Sequence, residues 1–234
     1  MPHEIFIYDQ IGSDWFGDGV SDKEIAKELK AHEGEDITLR INSPGGSVFD
    51  GMAIFNAIKA HTGKVTAQVD GLAASAASVI ALAADEVLMG DGTFMMIHSA
   101  SVFIGGNADE LMNYVNLLQK MDREILKIYN SKTGIEESVL AEMLKAETWM
   151  NAEEAVQKGF ADALTKPSGK NSENTNKPKN LAEFKLLNQY KNVPETLKTL
   201  TPALSQKESA PIEETQKLWK VRLQKRLLAL TEIS

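Results

Sequence analysis

Two hydrophobic periods take turns along the first two thirds of this chain. Glu4–Tyr8 (EIFIY), Asp36–Ile41 (DITLRI) and Lys64–Val69 (KVTAQV) carry Ile, Leu, Val or Ala at every second position, the period of a strand with one buried face. Glu86–Met89 and Phe94–Ile97 (FMMI) are short, nearly continuous apolar runs that read as a fourth and a fifth strand. Between them the period lengthens. Asp22–Ala31 has an apolar face of Ile25, Ala26 and Leu29, with Ser21 as its N-cap and Glu24 completing a capping-box pattern. A helix over Val48–His61 follows Asn42-Ser43-Pro44-Gly45-Gly46, and another follows the small-residue run after Val69 and ends near Ala84. Strand and helix alternate, which predicts an α/β fold with a mostly parallel sheet.

Farther along, Leu111, Tyr114, Val115, Leu118, Met121, Ile125, Leu126 and Tyr129 keep helical spacing, so Asn107–Ser131 reads as one long helix stopped by Gly134. Glu136–Leu144 and Ala152–Lys158 are further helices, the second with Asn151 as N-cap and Gly159 beyond its end, and Phe160–Leu164 is a last short segment. The pattern then breaks. Residues 167–180 (PSGKNSENTNKPKN) hold almost nothing apolar and read as a linker. Leu181–Tyr190 reads as a short helix and Glu213–Leu230 as a basic amphipathic one, with Leu218, Val221, Leu227 and Leu228 on a face suited to a coiled-coil contact. The expected organisation is a body over 1–166, a linker over 167–180 and a basic, partly helical tail over 181–234.

Composition sharpens this division. The net charge of -8 is the sum of -13 over residues 1–167 and +5 over 168–234. So acidic a body lacks the clustered Lys and Arg that phosphate contacts require, which argues against nucleic-acid binding by it. Cysteine is absent, which excludes disulfides, thiolate catalysis and Cys-based metal sites. The N-terminus shows no basic stretch followed by an apolar one, and no apolar run is long enough for a bilayer, so a cytoplasmic protein is expected.

The candidate chemistry sits where strands give way to turns. Ser75 lies within GLAASAASVIAL, flanked by Ala73, Ala74, Ala76 and Ala77; small neighbours at a strand-to-helix turn leave a hydroxyl exposed to substrate. The Pro-Gly-Gly turn offers backbone N–H groups that can face a developing oxyanion. Of the four histidines, His3 is terminal, and His32 and His61 each follow a helix, where the C-terminal dipole accounts for them. His98 ends the FMMI strand, at the edge where α/β sheets meet their ligands. For an orienting carboxylate, spacing leaves Asp109, Asp122, Glu142, Glu147 and Asp162 all open.

Taken in order, NSPGGSVFDGMAIF, GLAASAASVIALAA, MMIHS and TWMNAEEAVQKGFAD resemble the Clp protease proteolytic subunit family of serine peptidases, with the nearest likeness to the Clp-like head-maturation proteases of tailed phages. The likeness spans roughly residues 4–165. It implies a fold of repeated ββα units with a protruding handle helix, here Asn107–Ser131, and a ring-like homo-oligomer. It makes Ser75 the nucleophile, His98 the general base, and the N–H groups of Gly46 and Ala76 the oxyanion donors. The family's acid falls on Glu147, where Asp is usual. Substrate is expected to add as a strand beside Ser47, Val48 and Phe49 on one side and Ala100–Gly106, including Ser101, on the other.

The resemblance implies no metal and no cofactor. The chain begins almost at its first strand, without the pore-lining N-terminal extension of the family, so an ATPase partner is not expected; with no P-loop it supplies no ATPase of its own, and the tail suggests an assembly or scaffold role inside an immature capsid. The function expected first is therefore an endopeptidase that trims capsid or scaffold proteins. Alternatives are a cellular compartmentalised Clp-type peptidase, an inactive scaffold on a protease fold, and a crotonase-type acyl-CoA enzyme, which would turn over thioesters without cleaving peptides.

Overall fold

Seven strands and six helices follow one another among the residues this computed structural model describes, which are 2–12, 19–165, 190–195 and 197. In chain order they are β1 (His3–Tyr8), α1 (Asp22–Ala31), β2 (Ile37–Ser43), α2 (Val48–Ala60), β3 (Val65–Ala74), α3 (Ala76–Ala81), β4 (Glu86–Met89), β5 (Phe94–Ile97), α4 (Ala108–Thr133), α5 (Glu137–Lys145), β6 (Thr148–Asn151), α6 (Ala152–Gln157) and β7 (Ala163–Leu164). The sheet runs β1-β2-β3-β4-β7 with every neighbour parallel, and its inward face carries Ile5, Ile7, Leu39, Ile41 and Val87, all fully buried. Strand β5 pairs parallel with β3 and antiparallel with β6.

β3 is the element that sets up the site. Its first half, Thr66–Val69, pairs with β4; its second half, Leu72–Ala74, pairs with β5. The register Ala74↔Met96 brings the end of one strand beside the end of the other, so the residues just beyond, Ser75 and His98, emerge side by side.

Here the structure corrects two expectations. The strand does not stop at Val69 but runs to Ala74, and the helix after it has only six residues, not a span reaching Ala84. A run of small residues has no period to declare itself, so tertiary pairing decides. Gly71 lets β3 close on Asn42: a Cβ there would stand 2.6 Å from Asn42 Oδ1, which accepts the Leu72 N–H at 3.1 Å while the β2–β3 register shifts between Ile41 and Ser43. The second correction is β6: Thr148–Asn151, given no strand by the sequence pattern, forms one because β5 supplies an antiparallel partner.

Capping follows the sequence more closely. Asn107 and Glu110 form a reciprocal capping box at the start of α4, as do Asn151 and Glu154 for α6. Ser21 does stand at the N-cap of α1, but its side chain makes no cap hydrogen bond; Asp22 instead accepts the Lys23 N–H at 2.8 Å. Helix α4 ends on left-handed Gly134, φ 70°. Only Ile125 and Tyr129 of its stripe are fully buried, whereas Leu111, Met112, Tyr114, Val115 and Leu117 remain 38–59% exposed. Among the described residues no helix is long and apolar enough to cross a membrane.

The chain divides into two compact units, Met1–Pro194 and Glu195–Ser234. The expected linker over 167–180 and the expected helix over 213–230 lie outside the described residues, as does the expected helix ending at Tyr190, save Tyr190 itself, which is not helical.

Candidate active site

Ser75 Oγ and His98 Nε2 are 2.8 Å apart. The serine occupies φ 54°, ψ -123°, a region that costs a non-glycine residue about 1–3 kcal/mol and that turns the side chain out of the sheet. Several contacts hold it there. The Ser75 N–H donates to the Met96 carbonyl at 2.8 Å, fastening the turn to β5. Its carbonyl accepts the Ser78 N–H at 3.0 Å and the Ser78 hydroxyl at 2.6 Å. Ser78 is in turn paired with the Tyr129 hydroxyl at 2.8 Å, so helix α4 braces the Ser75 backbone. Gly51 in α2 keeps that side slim, since a Cβ on it would lie 3.0 Å from Ala76 Cβ.

Burial pushes the His98 imidazole below its ordinary range, and the nearby carboxylates of Glu147 and then Asp122 pull it partly back. That direction favours the neutral ring at neutral pH, and in its Nδ1–H tautomer Nε2 accepts the Ser75 proton. That is the protonation state a general base requires. The other histidines are engaged elsewhere: His3 meets Glu28 at 3.1 Å and stacks on His32 at 3.6 Å between ring centroids, and His61 Nε2 meets the Glu35 carbonyl at 2.8 Å.

The Pro-Gly-Gly turn lies directly against the serine. A Cβ on Gly45, φ 86°, would stand 2.6 Å from the Ala74 carbonyl and 2.7 Å from Ser75 Cβ, so only glycine fits. Ile11 grips the turn from behind, donating to the Gly45 carbonyl at 2.8 Å and accepting the Ser47 N–H at 3.0 Å. Those two bonds leave the Gly46 N–H directed away from Ile11, and among the described residues it has no partner. Ala76 opens α3, where a helix leaves its first N–H groups without intrahelical acceptors. Gly46, Ser75 and His98 line one cleft of about 570 Å³.

The five carboxylates left open by the sequence now separate. Asp109 lies exposed in the first turn of α4. Glu142 pairs with Lys145, and Asp162 pairs with Lys132 while accepting the Val87 N–H. Asp122 accepts the Ala100 N–H at 2.7 Å. Glu147 lines the cleft, 9% exposed, in left-handed backbone at φ 52° just past α5. Its carboxylate makes no hydrogen bond to His98 here. It accepts instead the indole N–H of Trp149 at 3.2 Å and the backbone N–H groups of Lys191 at 2.9 Å and Asn192 at 2.7 Å.

The expected substrate residues are placed unevenly. Val48, Ala100 and Ser101 line the cleft. Ser47 caps α2 by accepting the Asp50 N–H, and Val48 and Phe49 form that helix's first turn, so Ser47–Phe49 presents no strand edge, contrary to expectation. The 101–106 segment is irregular, with Phe103 fully exposed. Ser78, Tyr129, Trp149 and Tyr190–Asn192 went unmarked by the sequence. No spacing rule links Tyr190 to a turn 146 residues earlier. Among the described residues no group of three or more His, Asp or Glu is arranged to hold a metal ion.

Comparison with known proteins adds an independent line. The Clp protease family model matches residues 3–168. ATP-dependent Clp protease proteolytic subunit 1 of Chlamydia caviae is 34% identical over 161 residues, covering 64% of this chain and 84% of that protein. The subunit 1 protein of Protochlamydia amoebophila is 34% identical over 168 residues, 68% of this chain and 79% of its own. A ClpP1 mutant from Listeria monocytogenes shares the fold at a TM-score of 0.62 and 23% identity, covering 71% of this chain and 92% of that one.

Proposed function

This chain belongs to the Clp protease family of serine peptidases, and we propose that Ser75, His98 and Glu147 carry its hydrolysis of peptide bonds. The 2.8 Å contact between Ser75 and His98 is the observation that carries the reading. Nε2 of His98 takes the Ser75 proton as Oγ attacks the scissile carbonyl. The N–H groups of Gly46 and Ala76 receive the oxyanion, and His98 returns the proton to the leaving amine. Water then repeats the sequence on the acyl-enzyme. Glu147 steadies the imidazolium by its charge, a role supported by the upward pull of its carboxylate on the His98 imidazole.

For the setting, a compartmentalised Clp-type peptidase draws support from relatives that are themselves named as proteolytic subunits. Capsid or scaffold trimming draws on one feature only, the basic extension from 169 to 234 beyond the family match. The first is the better-supported reading. Family members form ring-like oligomers, and the exposed apolar stripe on the first half of α4 gives this chain a surface for one.

A fluorophosphonate probe followed by peptide mapping tests the mechanism, alongside digestion of casein. The expected result is labelling at Ser75, with Ser75→Ala neither labelled nor active. A Ser75→Ala protein that digests casein at the wild-type rate would remove Ser75 from the mechanism, and an unlabelled, inactive wild type would favour a protease-fold scaffold.

A further inference from the structure

Within the first compact unit, residues of the chain's own C-terminal part lie in the catalytic cleft. Tyr190 donates its hydroxyl to the Pro44 carbonyl at 2.6 Å, on the turn that carries the oxyanion donor. Its ring stands edge-on to His98, 5.2 Å between centroids, and to Trp149 at 5.9 Å. Burial raises the Tyr190 phenol to about 12, with the Ser75 hydroxyl working the other way, so the side chain sits neutral beside the nucleophile. The next two residues are held by their backbone. Lys191 and Asn192 each donate an N–H to a different oxygen of Glu147, and the Asn192 side chain donates to the Ala146 carbonyl at 2.8 Å.

This is a built peptide seat. A largely buried carboxylate needs hydrogen-bond donors, and two of the three that Glu147 has come from this segment. The seat combines a side-chain slot for one aromatic residue with backbone capture of the next two.

We propose that Tyr190–Asn192 is a built-in ligand of the catalytic cleft that withholds the site from substrate. It does so twice over. The Tyr190 ring fills the space in front of Ser75 and His98, and the two N–H groups hold Glu147 away from His98. Departure of the segment opens the cleft and releases the carboxylate to the imidazole in one event, so the enzyme is latent until Tyr190–Asn192 is displaced. This rests on the Ser75–His98 reading above.

The test uses the full chain, comparing wild type with Tyr190→Ala and with Lys191→Pro, which deletes one of the donated N–H groups. Labelling of Ser75 by the fluorophosphonate probe is expected to quicken on the order of tenfold in both, as for a site closed nine-tenths of the time. A synthetic peptide spanning residues 188–195 should slow Tyr190→Ala labelling again. Hydrogen exchange gives a readout independent of chemistry: the 191 and 192 amides should be protected in wild type and lose that protection in Tyr190→Ala. Labelling at an unchanged rate in both variants, or unprotected 191 and 192 amides in wild type, overturns the proposal. Absence of Ser75 labelling in every chain, with those amides protected, overturns the catalytic reading instead and leaves the peptide seat standing.

Discussion

Ser78 and Tyr129 offer a test in which the sign of an effect, not only its size, is fixed by the structure. Ser78 donates its proton to the Ser75 carbonyl at 2.6 Å, so the 2.8 Å contact with Tyr129 must use the tyrosine proton. Both residues are buried, Ser78 at 0% exposure and Tyr129 at 1%. Burial pushes the Tyr129 phenol above its ordinary value, so the bond is between neutral groups at any assay pH. Ser78→Ala strips the acceptor from a buried hydroxyl and costs about 1–3 kcal/mol. Tyr129→Phe leaves Ser78 still donating to Ser75, and costs only about 0.5–1.5 kcal/mol. In the Ser78→Ala background the same Tyr129→Phe change removes the orphaned hydroxyl, and is expected to raise stability by about 1 kcal/mol. Urea unfolding at one fixed subunit concentration measures all four proteins, and the midpoints are compared at equal slope. Labelling of Ser75 separates stability from positioning: it should stay slow in the double variant, because the lost donor to the Ser75 carbonyl is not restored. A double variant less stable than Ser78→Ala would refute this assignment of donors and acceptors.

Three further outcomes are expected. Ser75→Gly should be more stable than Ser75→Ala, both being inactive, by on the order of 1 kcal/mol: glycine relieves the left-handed strain but adds freedom to the unfolded chain. Thermal unfolding of the pair decides it, and an alanine variant equal or better would mean the turn is unstrained. The acid limb of the kcat/KM profile should have its midpoint below 6.5, since burial lowers the His98 pKa, and Glu147→Gln should move it lower still by removing the larger of the two charges that raise it; an upward shift contradicts the arrangement. Gly45→Ala should reduce kcat by about 10²–10³-fold, as for loss of an oxyanion donor, because its Cβ would drive the turn off Ala74 and Ser75. Wild-type turnover in that variant would place the oxyanion elsewhere.

Much of this was legible in the residues, and for a physical reason. β4 and β5 are read to the residue as Glu86–Met89 and Phe94–Ile97, and β1 and β2 within two, because their apolar side chains either alternate, as on a half-buried strand, or run together, as on a fully buried one. Gly134 and Gly159 mark helix ends because only left-handed backbone stops a helix that way, at φ 70° and 75°. What stayed hidden was decided by partners. The GLAA run carries no period, so whether it is strand or helix depends on Ser43 and β5 lying alongside. Thr148–Asn151 is too short and mixed to declare itself and becomes a strand by pairing with β5. Tyr190–Asn192 makes two of its four hydrogen bonds through backbone N–H groups, which no side-chain pattern encodes, and the other two reach backbone carbonyls far away in sequence.

Backbone strain leads to the same cleft by another route. Among the described residues only three non-glycines have positive φ: Asp9, Ser75 and Glu147. At Gly134 and Gly159 the chain uses glycine for left-handed helix stops, so a glycine after α5 would have served the fold equally well. A glutamate at φ 52° costs about 1–2 kcal/mol more there than a glycine, and it carries a largely buried carboxylate besides. The carboxylate's partners are Trp149, which packs on Leu72, Ala74 and Met96, and the backbone N–H groups of Lys191 and Asn192 in the cleft. Two of the three strained non-glycine positions, Ser75 and Glu147, therefore put their side chains into the same cleft.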